Sequence, residues 1–85
     1  MSVETSEYLA MLRRMLRAAG RCVGDADEIE LAELVSLRAE LERAIATAVE
    51  GQHARGVSWR GIAAGLGMTR QSAHERYAHK LSGAA

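Results

Sequence analysis

Apolar residues recur every three or four positions through the first part of the chain. Tyr8, Leu12, Met15, Ala19 and Cys22 form one line, and Leu9, Leu16 and Val23 widen it. That period matches one face of an α-helix. Arg13, Arg14, Arg17 and Arg21 take the opposite face. The pattern predicts a first helix from Thr5 or Ser6 to Val23, stopped at Gly24. Asp25 and Asp27 then offer N-cap carboxylates, followed by Glu28 and Glu30 where the helix dipole favours negative charge.

A long second helix follows, to Gln52 or His53. Leu34, Leu37, Leu41, Ala44 and Ala48 recur at helical spacing, flanked by Leu31, Val35, Ile45 and Val49. One short partner cannot cover so broad a face. The first helix is expected to cover part of it, leaving the rest to the C-terminal segment or to a second subunit. The heptad-like run is short and its later positions are alanines, so an intramolecular helical hairpin explains it as well as a coiled coil does.

The C-terminal part alternates differently. Ser58 is placed to cap a helix over Trp59–Leu66, Gly67 to turn, and Thr69 to cap a further helix reaching Leu81. Ile62 and Leu66 supply the inner face of the first of these helices, with Ala63 as the small contact point and Met68 plugging the turn. Ala73, Tyr77 and Leu81 line the inner face of the second. Trp59 is read as a packing anchor against the long helix. Two short helices joined by a tight turn are the pattern of a helix-turn-helix, whose second helix reads the DNA major groove.

Composition agrees with an all-α class. The chain has no Pro and no Phe, and its apolar content is mainly Ala and Leu. The expected organisation is one small domain: residues 1–54 as a helical hairpin suited to dimerisation, and 55–82 as the helix-turn-helix. Cys22 is the only cysteine, so no internal disulfide framework is possible, and it is read as a small buried residue. Nothing resembles a signal peptide or a membrane span, so a cytoplasmic, nucleoid-associated protein without a membrane partner is expected.

A net charge of zero conceals a division. Residues 1–50 hold six arginines against ten carboxylates, a net of −4, whereas residues 51–85 hold five basic residues against Glu75 alone, a net of +4. All three histidines also lie in the basic part. A basic segment spanning the motif fits a phosphate-binding module.

Burial of the inner face leaves Thr69, Arg70, Gln71, Ser72, His74, Glu75 and Ala78 outward. The N-terminal part of a recognition helix meets base edges. Arg70 suits guanine and Gln71 suits adenine; Thr69, Ser72 and His74 suit phosphates or bases. Glu75 suits cytosine or a neighbouring arginine. Arg55, Arg60, Arg76 and Lys80 are expected on phosphates, which position without specifying. Arg76 has a second role open to it, beside the core with its stem along apolar surface. Arg14, Arg17 and Arg21 are read as a solvated stripe or as partners of acids such as Glu33 and Glu40, with added phosphate contacts as the alternative.

The stretch from Arg55 through Trp59, Gly67, Thr69, Arg70, Gln71 and Ala73 to Tyr77 resembles the helix-turn-helix of small actinobacterial DNA-binding proteins. Those modules are similar to region 4 of sigma factors. A long Leu/Ala/Glu/Arg-rich helix often precedes the motif there, as Glu30–Glu50 does here. The resemblance spans roughly the last two-thirds of the chain and implies DNA binding through the helix beginning at Thr69. The chain departs from the pattern at Arg76, where such motifs often carry an apolar residue, and Tyr77 is taken to fill that space.

No catalytic set emerges. The histidines and Cys22 lack zinc-site spacing, and the glycines of residues 61–67 match no phosphate-loop or dinucleotide pattern. A non-enzyme with no cofactor is expected, binding double-stranded DNA as a dimeric transcriptional regulator. Two other readings stay open: a protein-interaction module that engages transcription machinery through the first two helices, and an architectural DNA binder of low sequence specificity.

Overall fold

The computed structural model describes residues 3–82, with side chains described as far as Ala78. Four helices follow one another: α1 (Val3–Gly24), α2 (Glu28–Ala54), α3 (Trp59–Leu66) and α4 (Arg70–Ser82). Among the described residues there is no strand, so the all-α class is as expected. None of these helices is long and apolar enough to cross a membrane.

The helix ends have local causes. Asp27 Oδ1 accepts from the N–H groups of Ile29 and Glu30, at 3.1 and 3.0 Å, and so starts α2. At its far end Gly56 adopts φ 91°. There the Gly56 N–H donates to the His53 carbonyl and the Val57 N–H to that of Gln52, both at 3.0 Å. These crossed bonds satisfy carbonyls that the helix leaves open. The same device ends α3. Gly67 takes φ 70°, its N–H donates to Ala64, and the Met68 N–H reaches Ala63 at 3.0 Å. Ser58 caps the start of α3, its Oγ accepting from the Gly61 N–H at 3.1 Å.

Two compact units result, Met1–Arg38 and Ala39–Ala85. The division falls inside α2. Its cause is packing: Val49 is buried with Ile62 and Tyr77, and Ile45, Ala46, Val57, Trp59 and Leu66 close around them. The last turns of α2 therefore belong with α3 and α4.

In the first unit α1 buries no residue at all. Tyr8, Met15 and Leu16 stay 60%, 57% and 51% exposed, and Ile29, Leu31, Val35 and Leu37 of α2 are also exposed. The apolar face assigned to a hairpin is left largely uncovered. Cys22 lies exposed rather than buried, on a helix that buries none of its residues.

In the second unit the core is small but tight. Ile62 and Ala63 are 2% exposed and Ala73 0%. Small residues at 63 and 73 allow α3 and α4 to approach closely, and these are the nearest neighbours among the helices. The line on α2 that meets this core is Ile45, Ala46 and Val49. Leu37, Leu41, Ala44 and Ala48, the centre of the expected stripe, stay exposed. Two short helices cannot span the whole apolar face.

The glycines separate into distinct roles. A Cβ at Gly61 would sit 3.3 Å from Val57 Cγ1, so this residue fits the close return of the chain onto α3. A Cβ at Gly65 would meet nothing within 4 Å. Gly65→Ala is therefore expected to stabilise the unit by about 0.5–1 kcal/mol. Gly67→Ala, forced into the left-handed region, should cost about 1–2 kcal/mol. Urea unfolding of the two variants checks the opposite signs.

Candidate nucleic-acid interface

The site begins with how α4 is held. Thr69 Oγ1 accepts from the Ser72 N–H at 3.1 Å, and its hydroxyl donates to Ser72 Oγ at 3.0 Å. This caps the helix at the residue expected to cap it. Ala73 and Tyr77 then fix its inner face in the core. Turned outward, Arg70, Gln71, His74 and Glu75 line one surface hollow of about 330 Å³. Four of the residues expected to read bases thus share one place. Thr69 and Ser72 are exposed beside them, but their hydroxyls are engaged with each other.

Within the hollow, Gln71 Nε2 donates to Glu75 Oε1 at 3.1 Å. Of the two readings of Glu75, cytosine or a neighbouring arginine, the arginine pairing is not formed; its carboxylate meets Gln71. His74 packs edge-on against Trp59, ring centroids 5.3 Å apart. Trp59 in turn lies 5.1 Å from the ring of His53, near the end of α2. Trp59 is thus the anchor expected, and it links three helices. The part of His53 in that link was missed. Its position four residues after Val49 on α2 was the available signal, since side chains at that spacing share a face.

The basic residues separate. Arg55 is exposed in the turn after α2, and Arg60 is exposed in the first turn of α3. Arg76 belongs elsewhere: its guanidinium pairs with Glu42 at 3.5 Å and lies 5.8 Å from the Tyr77 ring centroid. It lines a different hollow, with Glu42, Arg43, Ala46 and Tyr77. Of the two roles open to Arg76, this is the one beside the core. Both partners are more than half exposed, so the pair positions α4 on α2 without adding much stability. The side chains of Lys80 and Leu81 lie outside the described residues.

Arg14, Arg17 and Arg21 are exposed. Among the described residues the ion pairs are Arg43–Glu40 and Arg76–Glu42, so of the solvated face and the pairing with Glu33 or Glu40 read for that stripe, the solvated face is the one that fits. Also among the described residues, no three His, Cys, Asp or Glu side chains converge as a metal site.

An open apolar groove of about 320 Å³ also lies in this unit, lined by Ile45, Ala48, Val49, Gln52, Ile62, Gly65 and Leu66. It has no array of polar groups to orient a small ligand. Comparison with family models, curated proteins and solved structures gives no match to this chain.

Proposed function

We propose that this chain is a helix-turn-helix DNA-binding protein, a dimeric transcriptional regulator that reads the major groove with α4. The observation that carries this reading is the shared hollow of Arg70, Gln71, His74 and Glu75 on a helix whose opposite face is locked in the core. An arginine and a glutamine near the start of an exposed helix have the donor and acceptor groups that base edges require. The tight turn at Gly67 and the small residues Ala63 and Ala73 suit the close helix pairing of such a motif. Arg55 and Arg60 supply phosphate contacts, and the net charge of +4 over residues 51–85 supplies the attraction. A cytoplasmic, nucleoid-associated location follows from this reading.

A second copy is the natural cover for the first unit. Residues 3–24 carry four arginines and two glutamates, a net of +2, whereas residues 25–38 carry five carboxylates and Arg38, a net of −4. Pairing α1 of one copy with the start of α2 of another would bury the exposed leucines of both segments, and the opposite net charges of the two segments favour their approach. The dimer is expected at twice 9.2 kDa in sedimentation equilibrium. Leu12→Asp/Leu16→Asp should sediment as a monomer with its helical circular dichroism signal largely kept. An unchanged dimer would remove α1 from the interface.

The DNA reading is tested by titrating a labelled duplex at several salt concentrations. Two phosphate contacts per copy, from Arg55 and Arg60, predict a log–log slope of roughly −3.6 for a dimer, from about −0.9 per contact. Salt-independent binding, or none, contradicts it. Strong binding with no preference among duplexes indicates the architectural variant.

The uncovered face of α1 also favours one rival, a module that docks onto another protein. Capture of such a protein that survives Arg70→Ala and fails in Leu41→Asp, with folding preserved, would select that rival.

A further inference from the structure

We propose that Gln71 reads adenine and that Glu75 is a positioning residue that sets the orientation of the Gln71 amide; this rests on α4 being the DNA-reading helix. Gln71 Nε2 donates to Glu75 Oε1 at 3.1 Å, across one helical turn. An ionised carboxylate only accepts hydrogen bonds. It therefore selects one of the two orientations of the amide, the one that turns NH₂ toward it. A glutamine without this neighbour has no such preference.

Glu75 takes one of the two N–H groups. The other N–H and Oε1 remain, a donor and an acceptor on one amide. In the major groove adenine presents an acceptor at N7 beside a donor at N6. Guanine presents two acceptors there, and would place O6 against Oε1. Cytosine offers the N4 donor without N7, and thymine offers an acceptor and a methyl group. Adenine alone satisfies both remaining groups of the amide.

The bond also restricts the Gln71 side chain before DNA arrives, so less freedom is lost on binding. Its cost is electrostatic, because Glu75 brings a negative charge toward the phosphate backbone. The two effects oppose each other, and this separates the positioning role from a structural one. Loss of Glu75 should weaken discrimination while leaving general affinity equal or higher. A residue needed only for folding would lower both.

The test starts from duplexes selected by the wild-type protein. At one position per half-site, wild type is expected to prefer adenine by about tenfold or more, and 7-deazaadenine there to lose most of that preference. Gln71→Ala should bind adenine and 7-deazaadenine duplexes equally. Glu75→Ala should lose most of the adenine preference at that same position, with equal or tighter binding to unrelated duplex. Glu75→Gln can both accept from and donate to Gln71, so it no longer selects one orientation and should leave the adenine preference weakened as Glu75→Ala does. Glu75→Ala with full adenine preference overturns the inference, as does a Gln71-dependent position that selects another base. Those results would leave DNA binding by α4 standing. Failure of wild type to bind any duplex would instead overturn the DNA reading and this inference with it.

Discussion

Replacing Arg70 and Gln71 together by alanine is expected to abolish specific DNA binding without unfolding the protein. Each bidentate base contact is worth about 1–3 kcal/mol. The pair together therefore accounts for about 2–6 kcal/mol, a loss of at least roughly thirtyfold at about 1.4 kcal/mol per factor of ten. Both side chains are exposed and neither joins the core, so the thermal midpoint should hardly move. Thr69 is a poorer probe, because it caps α4 through the Ser72 N–H. Its loss would cost about 0.5–2 kcal/mol of helix stability and mix two effects. Fluorescence anisotropy with a selected duplex, paired with thermal unfolding by circular dichroism, gives both readings. Undiminished affinity in a folded double variant would remove α4 from the interface.

Ile62→Ala should have the largest effect on stability. Ile62 is 2% exposed and joins Val49 and Tyr77 at the centre of the second unit. Such a truncation costs about 2–5 kcal/mol, whereas a unit of this size has only a few kcal/mol, on the order of 0.1 kcal/mol per residue. The second unit should therefore be largely unfolded in Ile62→Ala at room temperature. Leu41→Ala is the control. It removes a similar side chain from α2, but Leu41 is 57% exposed, so the expected cost in the monomer is about 0.5 kcal/mol or less. Trp59, set between His53 and His74, reports the state of this unit by its fluorescence during urea unfolding. Equal midpoints for the two variants would contradict the packing described.

The helices were legible in the sequence because their ends are local events. Ser58, Thr69, Gly56 and Gly67 act within a few residues of themselves, and the hydrogen bonds that stop α2 and α3 stay inside the same turn. The inner faces of α3 and α4 were legible for a related reason, since both helices are short and each has one apolar side. The apolar face of α2 was not. Its residues are nearly equivalent by periodicity, and the choice of Ile45, Ala46 and Val49 over Leu37, Leu41 and Ala48 depends on where α3 and α4 land. That is a long-range fact. The same limit applies to the candidate site. Its outward residues followed from the helix period, whereas the pairing of Arg76 with Glu42 across two helices did not. The contact of Gln71 with Glu75 was within reach, since four-residue spacing puts both on one face. Cys22 and the leucines of α1 were expected under cover that the chain itself does not provide.

The most direct test of α4 as a reading helix is selection of bound sites from random duplex DNA by the wild-type protein, read by sequencing. One enriched, inverted-repeat motif is expected, with half-sites about one helical turn apart, roughly 10–10.5 base pairs, or a multiple of that. The motif should disappear when Arg70→Ala/Gln71→Ala is used instead. No enrichment with wild type, or the same motif recovered by the double variant, would contradict α4 as the reading helix.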